Sequence, residues 1–230
     1  MLTRTTDPAE AGALQAAGAR LVRKAHEMGL SLERLRPAPP WGTPALPAGL
    51  LLTAVDRPAA DLVEPALAAY SSREPTASEP APAAWVSVRA YERILGGEVA
   101  GPLLREPSAL LVDESNATVA GAALITHFAA NTWWGGGPFV ADLFVIPRLT
   151  GLGLGRKLLQ RAIARSVAAR ASRIGLTVSD GIPAESLYRS LGFERLRTVF
   201  ILSLPDDMDT SGPPDQAPPR GRAGRSPWNS

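Results

Sequence analysis

A chain of 230 residues, 45% of them apolar, suits one α/β domain with extensions, and a net charge of +2 with only Lys24 and Lys157 as lysines gives no clustered basic face for nucleic acid. The absence of cysteine excludes a disulfide, a thiolate nucleophile and a cysteine-ligated metal, and no metal site is expected. Met1 to Gly12 has no apolar h-region and no apolar run approaches ~20 residues, so neither secretion nor a membrane span is expected, and the protein reads as cytoplasmic.

Asp7-Pro8-Ala9-Glu10 predicts a capping box with proline at the first helical position, opening an alanine-rich helix that Gly18 ends. Ala19 to Leu32 is assigned as a strand. The stretch PAEAGALQAAGARLVR at the start echoes PAESLYRSLGFERLR near the end, with one inserted residue. Either a preceding unit left its last helix and strand here, or the match is chance in an alanine- and arginine-rich chain. Arg36 to Pro47 is a proline-rich linker, so residues 1–47 read as an N-terminal extension and linker. Leu50 to Val55 predicts a short strand, and Arg57 to Ser71 a helix that Pro65 kinks or splits. Ser72 to Pro82 is a loop, and from Ala83 the residues Trp85, Val88, Tyr91 and Leu95 recur at helical spacing until Gly96-Gly97. Ala109 to Asp113 and Thr118 to Phe128 read as a hairpin, followed by the loop NTWWGGGP.

The stretch Phe139 to Leu159 organises the rest: an apolar strand, a proline, a glycine-punctuated turn and a helix start. Gly151, Gly153 and Gly155 stand two apart over the turn. Glycine accepts positive φ and lets backbone approach a ligand, while the first N–H groups of the following helix lack intrahelical acceptors and, with the helix dipole, favour an anion such as phosphate. A tight turn with close helix packing is the plainer alternative. A P-loop is excluded because Gly155-Arg156-Lys157 replaces GK[ST], and a dinucleotide fingerprint because position 158 is leucine. Leu154, Leu158, Ala162, Ile163 and Val167 fall on one helix face. Ile174 to Val178 is a buried strand, a helix around Leu187 ends at Gly192, and Arg195 to Leu204 supplies the last strands. Asp206 to Ser230 has nothing to bury and is expected to be disordered and dispensable, which makes 48–204 the domain and 205–230 a tail.

Leu143-Phe144-Val145-Ile146-Pro147 followed by Thr150-Gly151-Leu152-Gly153-Leu154-Gly155 resembles the LxVxP strand and [QR]xxGx[GA] loop of the GNAT superfamily of acyl-CoA-dependent N-acetyltransferases. Thr150 replaces the usual arginine or glutamine. Downstream, Ala184-Glu185-Ser186-Leu187-Tyr188-Arg189-Ser190-Leu191-Gly192-Phe193 resembles that family's AxxLYxxLGF. The resemblance implies a mixed, mostly antiparallel α/β sheet with splayed central parallel strands flanked by helices, and acetyl-CoA as cosubstrate. Backbone N–H groups from Gly151 to Arg156 would bind its pyrophosphate. A bulged strand at Leu143, Phe144 and Val145 would turn the Leu143 N–H toward the thioester carbonyl, with pantetheine lying beside it.

In the family the tyrosine matching Tyr188 protonates the departing thiolate; a half-buried structural aromatic is the alternative. Its neighbour Leu187 and Leu191 are expected to face the sheet, turning Tyr188 to the helix edge. Some members carry an acidic pair at the positions matching Ala141 and Asp142, so Asp142 is a candidate base, or else an edge-strand aspartate. His127 has a pKa suited to a base and is otherwise a structural histidine. Trp133 and Trp134 either wall an amine acceptor or cap the core. The resulting expectation is a monomeric or homodimeric enzyme that acetylates a primary amine of a small molecule. Alternatives are a protein amine, a longer acyl-CoA, or an acyl-CoA sensor without catalysis.

Overall fold

In the computed structural model, which describes residues 1–36, 38–72, 81–129 and 135–205, the apolar runs pair into one eight-stranded sheet. The elements in chain order are β1 (Leu2–Thr5), α1 (Pro8–Ala16), β2 (Arg20–Ser31), β3 (Leu50–Thr53), α2 (Ala60–Ser71), α3 (Val88–Leu95), β4 (Ala109–Asp113), β5 (Thr118–Phe128), β6 (Gly137–Val145), α4 (Leu154–Ala168), β7 (Arg173–Ser179), α5 (Ala184–Ser190) and β8 (Glu194–Ser203). The sheet order is β1-β8-β2-β7-β6-β5-β4-β3, and every pair is antiparallel except β6 with β7. This is the mixed, mostly antiparallel α/β architecture that the family resemblance implies. Alternation along β5 sends Ala122 and Leu124 toward α2 and α3 and Ile125 toward α4, so a core forms on each face.

Local chemistry explains most element ends. Asp7 caps α1 by accepting from the Ala9 N–H at 2.8 Å, but Glu10 does not close the capping box. The Thr5 hydroxyl donates to the Glu10 carboxylate and accepts from the Asp7 N–H at 3.1 Å. Pro65 lies inside an unbroken α2. A mid-helix proline costs about 3 kcal/mol; the fully buried Leu62 alone recovers about 2 kcal/mol, and Ala66 and Ala69 are buried beside it. α3 starts at Val88 rather than Ala83, because the Ser87 hydroxyl accepts from the Ala90 N–H at 3.1 Å and fixes the N-terminus there. Trp85 therefore precedes the helix.

The N-terminal segment differs most from expectation. It carries β1, which the sequence pattern did not reveal, and β2 is inserted between β7 and β8, pairing with both. Arg195 to Leu204 accordingly forms a single last strand, β8; the position beside β7 is already filled by β2. The units β1-α1-β2 and β7-α5-β8 interleave, each lending its second strand to the gap between the other's two. The sequence echo obeys this geometry. When Gly18 is matched to Gly192, Ala25 matches Val199, and those two residues are direct partners in the β2-β8 ladder. A pseudo-twofold axis therefore passes through that pair. Glu27, 2% exposed, receives Arg4 from β1 and Arg197 from β8, so a buried carboxylate clasps three adjacent strands.

The described residues of the linker, 32–36 and 38–49, lie over α4 before β3. The Leu32 N–H donates to Ser172 O at 2.9 Å, the Arg36 guanidinium to Arg170 O at 3.0 Å, and Lys157 Nζ to Ala45 O at 2.5 Å. Trp41 packs against the core beneath. If β2 is a central strand rather than an extension, its amides from Ala25 to Leu30 will exchange with solvent as slowly as those of β5. Hydrogen exchange measured by mass spectrometry tests this; exchange of that stretch within seconds would remove β2 from the sheet.

Candidate active site

β6 is where the sheet opens. Ile125 pairs with Val140 and Leu124 with Asp142, which leaves Ala141 as an unpaired bulge residue. The bulge turns Ala141 and Asp142 to the same face, toward α2 and α3. On its other side β6 meets β7 at only two register pairs, Phe139 with Gly175 and Val140 with Leu176. Beyond Val140 the two parallel strands separate. The Ile146 N–H donates to Ala120 O at 2.9 Å, and antiparallel bonding alternates along the strand. By that alternation the backbone of Phe144 bonds toward β5, so Leu143 and Val145 point their N–H and C=O groups the other way, into the gap.

The gap ends at the glycine turn. Gly151 (φ +81°) and Gly153 (φ +70°) occupy the left-handed region, and a Cβ on either would meet nothing within 4 Å. The backbone there faces open space. Gly153 is also the N-cap of α4, so no side chain caps the first N–H groups of this 15-residue helix. Thr150 donates its hydroxyl to Pro147 O at 2.7 Å, leaving that oxygen only its acceptor capacity toward a ligand. A cavity of about 410 Å³ joins these parts, lined by Leu143, Phe144, Val145, Thr150, Gly151, Gly153, Leu154, Gly155 and Arg156, by Ala69 and Ser72 from the end of α2, and by Ala184, Leu187 and Tyr188 from α5. Leu152 is exposed on the turn. A Cβ on Gly155 would lie 3.9 Å from Leu187, so α4 and α5 close one wall by near contact.

Tyr188 reaches this cavity in an orientation the helical spacing did not predict. It is 8% exposed and is the buried residue of α5, while Leu187 and Leu191 are half-buried. A seven-residue helix has little stripe to define its rotation, and the aromatic ring carries the larger apolar area inward, 6.0 Å from Phe193. Asp142 is 7% exposed and lies behind the cavity wall. The Tyr91 hydroxyl donates to its Oδ2 at 2.6 Å, and the Tyr70 hydroxyl donates to its Oδ1. Burial, then the Asp142 carboxylate and Tyr70, hold Tyr91 far above the usual phenol pKa, so it remains a donor. Sequence periodicity accounted for Tyr70 and Tyr91 as helical apolar positions and missed this role; the available signal was an aspartate in an apolar strand, which requires partners. His127 is exposed at the far end of β5, paired with Pro138, and is not brought to the cavity. Trp133 and Trp134 lie outside the described residues.

The Acetyltransferase (GNAT) family model matches residues 66–193, more than half of the chain. The chain belongs to the GNAT family. Its fold is similar to that of a GCN5-related N-acetyltransferase from Sphaerobacter thermophilus, at TM-score 0.60 and 18% identity over 87% of this chain and 57% of that one. It is also similar to a tandem GNAT protein from the clavulanic acid biosynthesis pathway, at TM-score 0.54 and 19% identity over 85% of this chain and 58% of that one. The chain thus spans less than two thirds of the length of these structures. No curated protein matches it. Among the described residues no helix is long and apolar enough to cross a membrane.

In this GNAT domain a polar network fastens the α5 wall to β2. His26, fully buried, places Nε2 2.6 Å from Asp180 Oδ1 and Nδ1 3.1 Å from Thr198 Oγ1, and Lys24 pairs with Asp180 at 2.8 Å. Ligand atoms of His26, Asp180 and Glu185 lie within 4.8 Å of one another. Cations of the chain meet these charges: Arg195 at 2.7 Å and Arg189 at 2.9 Å hold Glu185, so the group forms an ion-pair network. Hydrogen bonds from Lys24 and His26 hold Asp180 below the usual carboxylate range. Partial burial pushes Glu185 upward, and its arginine partners more than offset that. A depressed carboxylate stabilises the fold above its unfolded pKa and loses that contribution as pH falls through its folded pKa. Asp180→Asn should therefore melt a few degrees below wild type at pH 7, with the difference shrinking below about pH 4. Melting curves across that range test it; a difference independent of pH would assign the loss to packing instead.

Proposed function

We propose that this chain is an N-acetyltransferase that moves an acetyl group from acetyl-CoA to a primary amine of a small molecule. The observation that carries the reading is the β6-β7 gap, into which Leu143 and Val145 turn unpaired backbone groups and which runs to the uncapped N-terminus of α4. The open space over Gly151 and Gly153, where a Cβ would otherwise stand, fits a pyrophosphate. Acetyl-CoA bound there supplies an acyl carbon activated as a thioester.

The chain's own groups divide the work. Backbone N–H groups from Gly151 to Arg156 hold the pyrophosphate, and the backbone of Leu143 and Val145 pairs with the amide-bearing arm as a strand would. The Leu143 N–H donates to the thioester oxygen as negative charge develops on it, a contribution of about 3 kcal/mol for a preorganised donor. Tyr188 protonates the departing sulfur, and Asp142 receives the proton of the attacking amine. The carboxylate and the rings of Tyr70, Trp85 and Phe144 favour a cationic acceptor on the α2-α3 face. The domain reads as 48–204 completed by β2, and the reading requires neither nucleic acid nor a membrane surface. Thiol release from acetyl-CoA with a panel of small primary amines tests it. Tight acetyl-CoA binding without turnover would assign the chain to an acyl-CoA sensor.

Two substitutions separate the parts. Gly153→Glu places a carboxylate and a Cβ against the anion site, and calorimetric titration should show CoA binding lost while circular dichroism remains that of the wild type; near wild-type affinity would refute the loop assignment. Tyr188→Phe keeps the ring and deletes the hydroxyl, so kcat should fall about 100-fold with the acetyl-CoA Kd little changed. An unchanged kcat, where chemistry limits turnover, would make Tyr188 a structural aromatic.

A further inference from the structure

Asp142 has the position of a base without direct access to the substrate. It is 7% exposed and does not line the cavity, whereas Phe144, two residues on and facing the same side, does. Tyr70 is also absent from the cavity lining, but it is half-buried and so the more accessible member of the pair. Its hydroxyl donates to Asp142 Oδ1, and it stands in the last turn of α2 beside Ala69 and the C-cap Ser72, both of which line the cavity. Its ring is fixed on two sides, with Trp85 at 4.5 Å edge-on and Phe144 at 6.4 Å. Tyr91 occupies the other carboxylate oxygen from a buried position on α3, where it is 2% exposed and remote from solvent.

We propose that Tyr70 is a catalytic residue that relays the acceptor amine's proton to Asp142, with Tyr91 positioning the carboxylate. This rests on the acyl-transfer reading above. As the amine nitrogen bonds to the acyl carbon and the carbon–sulfur bond breaks, the surplus proton on nitrogen passes to Tyr70 Oη while Tyr70's own hydroxyl proton passes to Asp142 Oδ1. The sulfur takes its proton from Tyr188, so the negative charge that began on the Asp142 carboxylate ends on the Tyr188 phenolate. Loss of the Asp142 proton through Tyr70 to solvent and uptake of one proton from solvent by Tyr188 reset the site. The Tyr91 hydroxyl, held by burial and by the adjacent carboxylate far above the range in which phenols ionise in water, stays a donor throughout and takes no part in the transfer.

The test uses the full chain with acetyl-CoA and two probe acceptors, benzylamine and hydroxylamine, the second small enough to need no pocket of its own. Tyr70→Phe keeps the ring against Trp85 and Phe144 and should lower kcat by about 100-fold with both probes while the acetyl-CoA Kd stays within twofold. Asp142→Asn should lose a similar factor. Because both residues serve one proton path, the double variant should be no slower than the slower single variant. Tyr91→Phe removes the other hydrogen bond to the same carboxylate and controls for disturbed packing; it should lose less than tenfold. Tyr70→Phe within threefold of wild type, losses that multiply in the double variant, or a Tyr91→Phe loss equal to that of Tyr70→Phe would each overturn the relay and leave acyl transfer standing. A wild-type chain that binds acetyl-CoA yet releases no thiol with either probe would overturn the acyl-transfer reading, and the relay with it.

Discussion

The single extra residue in β6 is the constraint on which the site depends. Ala141 has no partner on β5, and the bulge it makes does two things at once. It swings Asp142 onto the α2-α3 face beside Ala141, and it accompanies the parting of β6 from β7 just past Val140 and Leu176. A regular strand would have carried its ladder onward and satisfied the Leu143 and Val145 backbone against β7. The cavity is thus a place where sheet hydrogen bonding has been suspended, and unpaired backbone at such a place needs either water or a ligand that can stand in for a strand.

The wall opposite β6 is held from a distance. α5 has seven residues, too few to fix its own orientation by amphipathicity, and its rotation is set instead by Tyr188 going inward, by the ion pair of Glu185 in its first turn with Arg195 of β8, and by the hydrogen bond from Arg156 of α4 to Ser190 at its end. Asp180, at the turn that leads into α5, is fastened by Lys24 and His26 of β2. The N-terminal unit therefore reaches the cavity without touching it. Since buried charge pairs stabilise little relative to apolar replacements, the worth of the Glu27 clasp and of the His26 network lies more in fixing strand order and helix placement than in net stability. Surface pairs such as Arg148 with Asp113 carry less of this role.

Much of this was legible in the sequence. The β4-β5 hairpin ends where Asp113 and Asn116 form their side-chain turns, and the strand, glycine turn and helix from β6 to α4 follow from spacing alone. The signals there are local. What could not be read was set by partners far along the chain. The four residues of β1 are a strand only because β8 lies beside them, and β2 shows no clean period because both of its faces and both of its edges are covered. Ser87 as a helix cap was local and was overlooked because apolar spacing continued through it. The two tyrosines on Asp142 come from helices separated from β6 by the whole β4-β5 hairpin, a distance over which no pattern of residue types reports contact.

The interleaving of the first unit with the last also sets an order of events during synthesis. β2 leaves the ribosome well before its neighbours, because both strands that flank it are encoded more than 140 residues later. Until then a twelve-residue strand has two unpaired edges, and the gap it must fill does not yet exist. Contacts of such long sequence separation make for slow closure, so the central part of this sheet is completed only after translation of β8. The nascent chain is therefore exposed while the intervening residues are made, and a protein built this way depends on being kept unaggregated while β2 waits for β7 and β8.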